Sequence, residues 1–290
     1  MSWIEIHLNI PQPKLEDIAE AISAYLFAMG CAGIHLNEQA VIVYFSKNNW
    51  SEEIQKGLID FISKIIPGFD RRYMQIKSVS DFDWANNWKQ YFKPLRISDT
   101  IVVLPPWEKY PAREADLKII INPQMAFGTG QHESTQLMIL ALVKKLKPGM
   151  RVLDVGTGSG ILAIIADKLG AESVTAIDND IAALKNAMEN AALNKVSPGV
   201  RLELSSLEQL LPQEFDLVLA NINRNVLLNY ASRFPEYLNR GGKLILSGFL
   251  AADDLKVVEQ YRQYGFSLVS KHIRKEWLAL IFELKVKSKK

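Results

Sequence analysis

The spacing of apolar positions changes character along the chain and divides it into three stretches. Trp3 to Asn9 alternates apolar and polar residues, the period of a half-buried strand. Leu15 to Met29 repeats apolar residues at helical spacing, with Gly30 as a stop. Gly33–Asn37 and Val41–Phe45 predict two short strands around a polar turn. Ile54–Ile66 predicts a second helix, closed by Pro67-Gly68, and Arg72–Val79 is again strand-like. The order β-α-β-β-α-β is that of the ferredoxin-like plait. Residues 1–80 are therefore expected to form a small α+β domain. Such a module carries no chemistry in its own sequence and commonly serves to recognise partners.

Residues 81–96 are expected to form a linker helix. In Asp81–Phe92, closed by Lys93-Pro94, helical spacing puts Phe82, Trp84, Trp88, Tyr91 and Phe92 roughly on one side. That stripe suits core packing better than the alternative, a base-stacking surface. From Ile97 onward, strands alternate with helices, which predicts an α/β fold with a mostly parallel sheet covered on both faces over residues 97–290. The expected strands are Ile101–Leu104, Leu117–Ile121, Arg151–Val155, Ser173–Asp178, Val200–Leu204, Phe215–Ala220 and Lys243–Ser247. Phe266–His272 and Trp277–Leu284 are expected to close the sheet as an antiparallel pair. The helices between them are Glu133–Lys145, Asp180–Leu193, Arg224–Leu238 and Ala251–Tyr264.

Composition narrows the possibilities. At 290 residues the chain has room for two domains. A net charge of +2 is too small to imply nucleic-acid binding by itself. Residues 1–75 hold six Lys and Arg against nine Asp and Glu, so the front is acidic and the remainder basic. An acidic front half is a poor phosphate binder and tolerates a basic protein partner better, although a plain solvated surface accounts for it equally well. Cys31 is the only cysteine, which excludes internal disulfides and a cysteine metal cluster. His7, His35, His132 and His272 show no metal-ligand spacing, so no metal is expected. With no basic, apolar leader and no run of membrane-spanning length, a soluble cytoplasmic protein is expected.

The chemistry concentrates in Val152-Leu-Asp-Val-Gly-Thr-Gly-Ser-Gly160. This reads as a buried parallel strand, a glycine turn and then a helix from Ile161 to Leu169. Gly156, Gly158 and Gly160 lack the Cβ atoms that would hold a ligand away from the backbone. The helix N-terminus behind them offers unpaired N–H groups. Asp178 ends the next strand, where a ribose hydroxyl pair is usually held. A nucleoside-containing cofactor is therefore expected. Dinucleotides are disfavoured: their fingerprint is G-x-G-x-x-G, whereas here Ile161 replaces the third glycine. Asp154 would also repel a pyrophosphate, but it suits the ammonium end of S-adenosylmethionine.

Two further segments belong to the same edge. Asn122-Pro-Gln-Met-Ala-Phe-Gly-Thr-Gly-Gln-His132 is a glycine-rich loop, expected to be flexible at Gly128 and Gly130, with Phe127 free to cap an apolar ligand face. Ser134 and Thr135 follow in the first helical turn, where a hydroxyl reaches a ligand or caps the helix. Asn221 ends the Phe215 strand at the edge where α/β sheets bind ligands. Its amide oxygen is suited to steering an attacking amine; the alternative is a turn asparagine bonded to its own backbone. Asn223 and Arg224 come next and are weaker candidates. His132, alone at a helix start, is read as structural rather than as a general base, and no catalytic residue is assigned.

Together these segments resemble the signature blocks of the bacterial methyltransferases of ribosomal protein L-eleven. The carriers are the Asn122–His132 loop, Val152–Ala163 and Ala220-Asn-Ile222, with Asp83-Trp84…Trp88-Lys89 and Leu246-Ser247-Gly248 as further blocks. The likeness runs over nearly the whole length. It implies a Rossmann-like class I methyltransferase domain behind a ferredoxin-like substrate-recognition domain, joined by a hinge helix. It also implies methyl transfer from S-adenosylmethionine to lysine and N-terminal amino groups of this large-subunit stalk-base protein, with no membrane and no direct nucleic-acid substrate. In the family, the cofactor contacts fall on positions matching Thr135, Gly156, Asp178 and Asn221. Three places depart from the family pattern. Asn122-Pro-Gln stands for Asp-Pro-Gly, Gly156-Thr-Gly158 for Gly-Cys-Gly, and Asn221-Ile-Asn-Arg for Asn-Ile-Leu-Ala. An N-methyltransferase of bases or glutamine is disfavoured, because Ile222, Asn223 and Arg224 replace its Pro-Pro-Tyr.

Overall fold

The computed structural model describes residues 2–9, 22, 25–26, 29–31, 33–36, 40–80, 89, 92–111, 113–124 and 127–285. The chain divides into two compact units, Met1–Phe92 and Lys93–Lys290. The expected aromatic helix over 81–92 lies outside the described residues apart from Lys89 and Phe92. So does most of the expected helix over 15–29, of which Ile22, Tyr25 and Leu26 are helical.

The first unit contains β1 (Ser2–Leu8), β2 (Gly33–Leu36), β3 (Val41–Ser46), α1 (Glu52–Ile65) and β4 (Met74–Ser80). Its sheet runs β2-β3-β1-β4 with every pairing antiparallel, which is the order of the expected plait. Helix α1 starts where the Ser51 side chain accepts the Ile54 N–H, with Glu52 and Glu53 in the first turn complementing the helix dipole. Leu58 and Ile62, four residues apart, bury against Ile6, Leu8, Val43 and Phe45.

The second unit is built on seven strands: β8 (Arg151–Val155), β9 (Ser173–Asp178), β10 (Val200–Leu204), β11 (Phe215–Asn221), β12 (Leu238–Leu250), β13 (Phe266–Arg274) and β14 (Trp277–Leu284). They run in the order β10-β9-β8-β11-β12-β14-β13. The first five are parallel, and β13 and β14 close the sheet antiparallel. Strand residues alternate between two cores. Leu153, Val155, Val218, Ala220, Leu244 and Leu246 face one side, and Val152, Val174, Leu217, Leu219 and Ile245 the other. This double burial explains why the strands read as continuous apolar runs. The covering helices are α2 (Glu133–Lys145), α3 (Ile161–Lys168), α4 (Ile181–Leu193), α5 (Arg224–Tyr230) and α6 (Asp254–Arg262).

Three expectations are corrected here. The linker helix expected over 81–96 does not reach its end: Leu95–Arg96 are a strand, and Pro94 before them has no amide to continue a helix. Ile101–Leu104 (β6) and Leu117–Ile120 (β7) do not join the main sheet. With β5 (Leu95–Arg96) they form a separate three-stranded sheet, whose Ile101, Val103 and Ile119 pack into the core that contains Ile161 and Ile165 of α3. Periodicity identifies strands but not their partners. The expected helix Arg224–Leu238 stops at Tyr230 and resumes as a 3-10 turn, Phe234–Tyr237. Pro235 forces the break, since in a continuous helix it would remove a hydrogen bond and clash with the Ala231 carbonyl.

Candidate active site

Strand register decides which residues share the carboxyl edge of the sheet. Val155 pairs with Ile177 on one side and Ala220 on the other. The residues that emerge one step later, Gly156, Asp178 and Asn221, therefore stand in one row where parallel strands hand over to loops.

The turn after β8 is fixed by β9. The Gly156 and Thr157 amides donate to the Ile177 carbonyl at 2.9 and 3.0 Å. The Gly158 amide donates to Asp178 Oδ2 at 2.9 Å, and Asp178 Oδ1 accepts the Asp180 amide at 3.0 Å. A carboxylate has about four acceptor positions, so each Asp178 oxygen keeps one for a ribose hydroxyl. Gly156 and Gly158 adopt φ of +69° and +56°. A Cβ on Gly156 would meet Ile222 Cγ2 at 2.3 Å, and one on Gly158 would meet the Phe127 carbonyl oxygen at 2.4 Å. The space assigned from the sequence to a ligand is, at these two positions, filled by the protein's own loops.

Asp154 is 1 % exposed. Its Oδ2 accepts the Thr157 hydroxyl at 2.6 Å, while Oδ1 is buried without a hydrogen-bond partner. Burial pushes the carboxyl up to about 7, Thr157 opposes the shift, and the neighbouring Asp178 charge adds to it.

The glycine-rich loop is tied down rather than free. Phe127 and Gly128 accept hydrogen bonds from the Ser159 amide and hydroxyl at 2.9 and 2.6 Å, so the expected flexibility at Gly128 is not what the contacts provide. His132 caps α2: its Nδ1 accepts the Ser134 amide at 3.2 Å. Its ring lies edge-on to Phe127 and Trp277, with centroids at 5.2 and 4.4 Å. Burial holds its pKa below the usual value. A neutral, capping, sandwiched imidazole fits the structural reading.

With His132 as the cap, Thr135 is released from that task. It is fully buried, and its Oγ1 accepts the Asn221 amide at 3.3 Å. Asn221 Oδ1 is buried without a partner. Asn221 is thus not a self-bonded turn residue. That part is played by Asn223, which caps α5 by accepting the Val226 amide at 3.1 Å. Arg224 is engaged by Asp253 at 2.5 Å. The structure brings Thr135, Gly156, Asp178 and Asn221 to one edge and gives Asn223 and Arg224 structural work. The sequence reading missed Asn186 and Asn190 of α4 and its C-cap Asn194. Their signal was present, as asparagines at every fourth residue of a helix repeat on one face.

The donor set tests the cofactor. Two buried acceptor oxygens, Asp154 Oδ1 and Asn221 Oδ1, make no hydrogen bond; Asn221 stands in the edge row and Asp154 two residues inside β8 from Gly156, where the Ala163 amide also favours its charged form. A buried acceptor without a partner costs about 1–3 kcal/mol. The ammonium of an amino-acid moiety would relieve that cost at Asp154, and Asp178 has acceptor capacity for a ribose. These residues fit S-adenosylmethionine. Among the described residues no group of three or more His, Cys, Asp or Glu could hold a metal ion, and no helix is long and apolar enough to cross a membrane.

Comparison with known proteins agrees with this chemistry. The family of ribosomal protein L11 methyltransferases (PrmA) matches residues 2–285. The ribosomal protein L11 methyltransferase of Acetivibrio thermocellus is 35 % identical over 97 % of this chain and 98 % of its own. That of Geotalea uraniireducens is 41 % identical over 76 % of this chain and 73 % of its own. The crystal structure of a ribosomal protein L11 methylase from Lactobacillus delbrueckii subsp. bulgaricus superposes with a TM-score of 0.62 at 33 % identity, covering 68 % of this chain and all of that one. Sheet order, paired loops and these relatives converge, and the chain belongs to the ribosomal protein L11 methyltransferase (PrmA) family, a family of S-adenosylmethionine-dependent methyltransferases.

Proposed function

We propose that this enzyme methylates amino groups of ribosomal protein L11, on lysine side chains and at the N-terminus, and that Thr135, Gly156, Asp178 and Asn221 hold its cofactor. The observation that supports the site assignment is the strand register that sets Gly156, Asp178 and Asn221 in one row, where Asn221 Oδ1 is buried without a hydrogen-bond partner. When bound, S-adenosylmethionine supplies a methyl group already activated by its sulfonium charge. Asp178 holds the ribose and Asp154 the ammonium. Thr135 orients Asn221 through the Nδ2 hydrogen bond, which leaves Oδ1 to accept an N–H of the incoming amine and aim its lone pair. None of these groups is a strong base. A substrate lysine, with an ordinary pKa near 10.4, releases its proton to water before attack. Positioning and exclusion of water supply the rate.

The ferredoxin-like unit is assigned recognition of the protein substrate and the second unit, from Lys93, catalysis; the link is assigned to the segment that begins at residue 81 and ends before Lys93, because Leu95–Arg96 already belong to the second unit's small sheet. The cytoplasm, where newly made L11 is available, is assigned as the place of action. The amine assignment has a direct test. Prior acetylation of the amino groups of L11 is expected to abolish methyl incorporation by mass spectrometry. Undiminished incorporation would move the acceptor to another group, such as a side-chain amide.

A further inference from the structure

The buried face of α4 carries Asn186 and Asn190, and Asn194 follows one turn on as its C-cap. Each directs amide groups to main chain outside the helix. Asn194 Oδ1 accepts the Ile120 amide at 2.8 Å, and its Nδ2 donates to the Ile120 and Asn190 carbonyls at 2.6 and 2.7 Å. Asn186 Nδ2 donates to the Asn122 carbonyl at 3.1 Å. Asn190 differs because its two ends go to two different loops. Its Oδ1 accepts the Asn122 amide at 2.8 Å, at the start of the glycine-rich loop, and its Nδ2 donates to the Ser159 carbonyl at 2.9 Å, in the glycine turn. The side chain is fully buried. Ser159 in turn bonds Phe127 and Gly128, so the two loops are laminated, with Asn190 behind both. The N-terminal end of the same helix is anchored beside Asp178 through the Asp180 amide.

We infer that Asn190 is a positioning residue for the cofactor site, one that sets the spacing between the two glycine loops and hence the register of Gly156 and Asp178 against Thr135 and Asn221. This rests on the cofactor reading above. A displacement of about 1 Å far from the reacting atoms is enough to cost roughly a hundredfold in rate, and a fully buried amide holding two loops controls displacements of that size.

The substitution Asn190→Asp keeps the acceptor for Asn122 and replaces the donor to Ser159 with an oxygen that repels it. Asn194→Asp makes the same chemical change one turn on, where only Ile120 and the helix itself are touched. Calorimetric titration with S-adenosylmethionine, alongside thermal melting, compares them. The expected result is a dissociation constant raised about tenfold or more in Asn190→Asp and less than about twofold in Asn194→Asp, even where their melting temperatures fall alike. Steady-state kinetics at saturating cofactor are expected to show an unchanged KM for the protein substrate. Equal weakening in both variants, or in neither, would overturn the inference. Should Asn190→Asp not fold, Ser159→Ala removes the neighbouring loop-to-loop bond; it is expected to weaken binding several-fold, and wild-type affinity there would overturn the inference as well. Absence of cofactor binding by the unaltered enzyme would instead overturn the cofactor reading itself.

Discussion

Replacing Asp178 with alanine is expected to abolish cofactor binding at concentrations where the unaltered enzyme saturates. Two effects combine. The ribose loses a carboxylate acceptor, and hydrogen bonds to charged groups contribute about 1.5–3 kcal/mol each. The Gly158 and Asp180 amides also lose theirs, at 2.9 and 3.0 Å, so the glycine turn and the start of α4 are released from each other. Two ribose bonds alone correspond to a weakening on the order of a hundredfold or more. The sheet core is built from Leu153, Val155, Val218 and Leu246, which do not depend on Asp178, so the variant is expected to remain folded. Calorimetry measures the affinity and circular dichroism the fold. A folded Asp178→Ala protein that binds S-adenosylmethionine with near-normal affinity would remove Asp178 from the site.

Asp154 is expected to drive stability and affinity in opposite directions with pH. Burial raises its folded-state pKa to about 7, against an ordinary carboxylate value of 3.8. Between those values the folded protein holds a proton that the unfolded chain has lost. The proton-binding difference then makes unfolding easier as pH rises. The stabilisation of the cofactor-free enzyme is therefore present in full below about 4 and lost progressively up to about 7, by an amount on the order of a few kcal/mol. Binding of a cationic amino-acid end needs the ionised carboxylate, so affinity for S-adenosylmethionine rises over the same window. Asp154→Asn removes the titrating group and is expected to flatten both trends. The difference between the two proteins also cancels His132, whose lowered pKa acts in the opposite sense, adding stability as pH rises. Melting curves and titrations from about pH 5 to about pH 7.5, spanning the upper part of that window, provide the check. Parallel trends, or a wild-type slope retained in Asp154→Asn, would contradict the role given to this carboxyl.

What the sequence disclosed follows from the range of each interaction. Strand, glycine turn and helix from Arg151 to Lys168 are local, and doubly buried strands advertise themselves as apolar runs; both were legible. The position of Asp178 was legible because it ends a local apolar strand, Ser173–Asp178. The ferredoxin-like order was legible because each of its described strands and α1 has its own period. The pairing of Thr135 with Asn221 spans 86 residues, and no periodicity encodes it; the residues were named separately and the bond was not. The capping role of His132 was open because a short side chain such as Ser134 is the more usual cap. The three-stranded sheet of β5, β6 and β7 was misplaced because strand pattern fixes the faces of a strand and not its neighbours. Asn190 was missed for a related reason: its meaning lies in two loops 68 and 31 residues away in the chain.

The most direct test of the central claim is where the methyl group goes. Purified enzyme would be incubated with methyl-labelled S-adenosylmethionine and a mixture of free ribosomal proteins and ribosomal RNA, and the products separated by mass. The expected result is label confined to ribosomal protein L11. Label in RNA or in a different protein, or no label with cofactor bound, would contradict it.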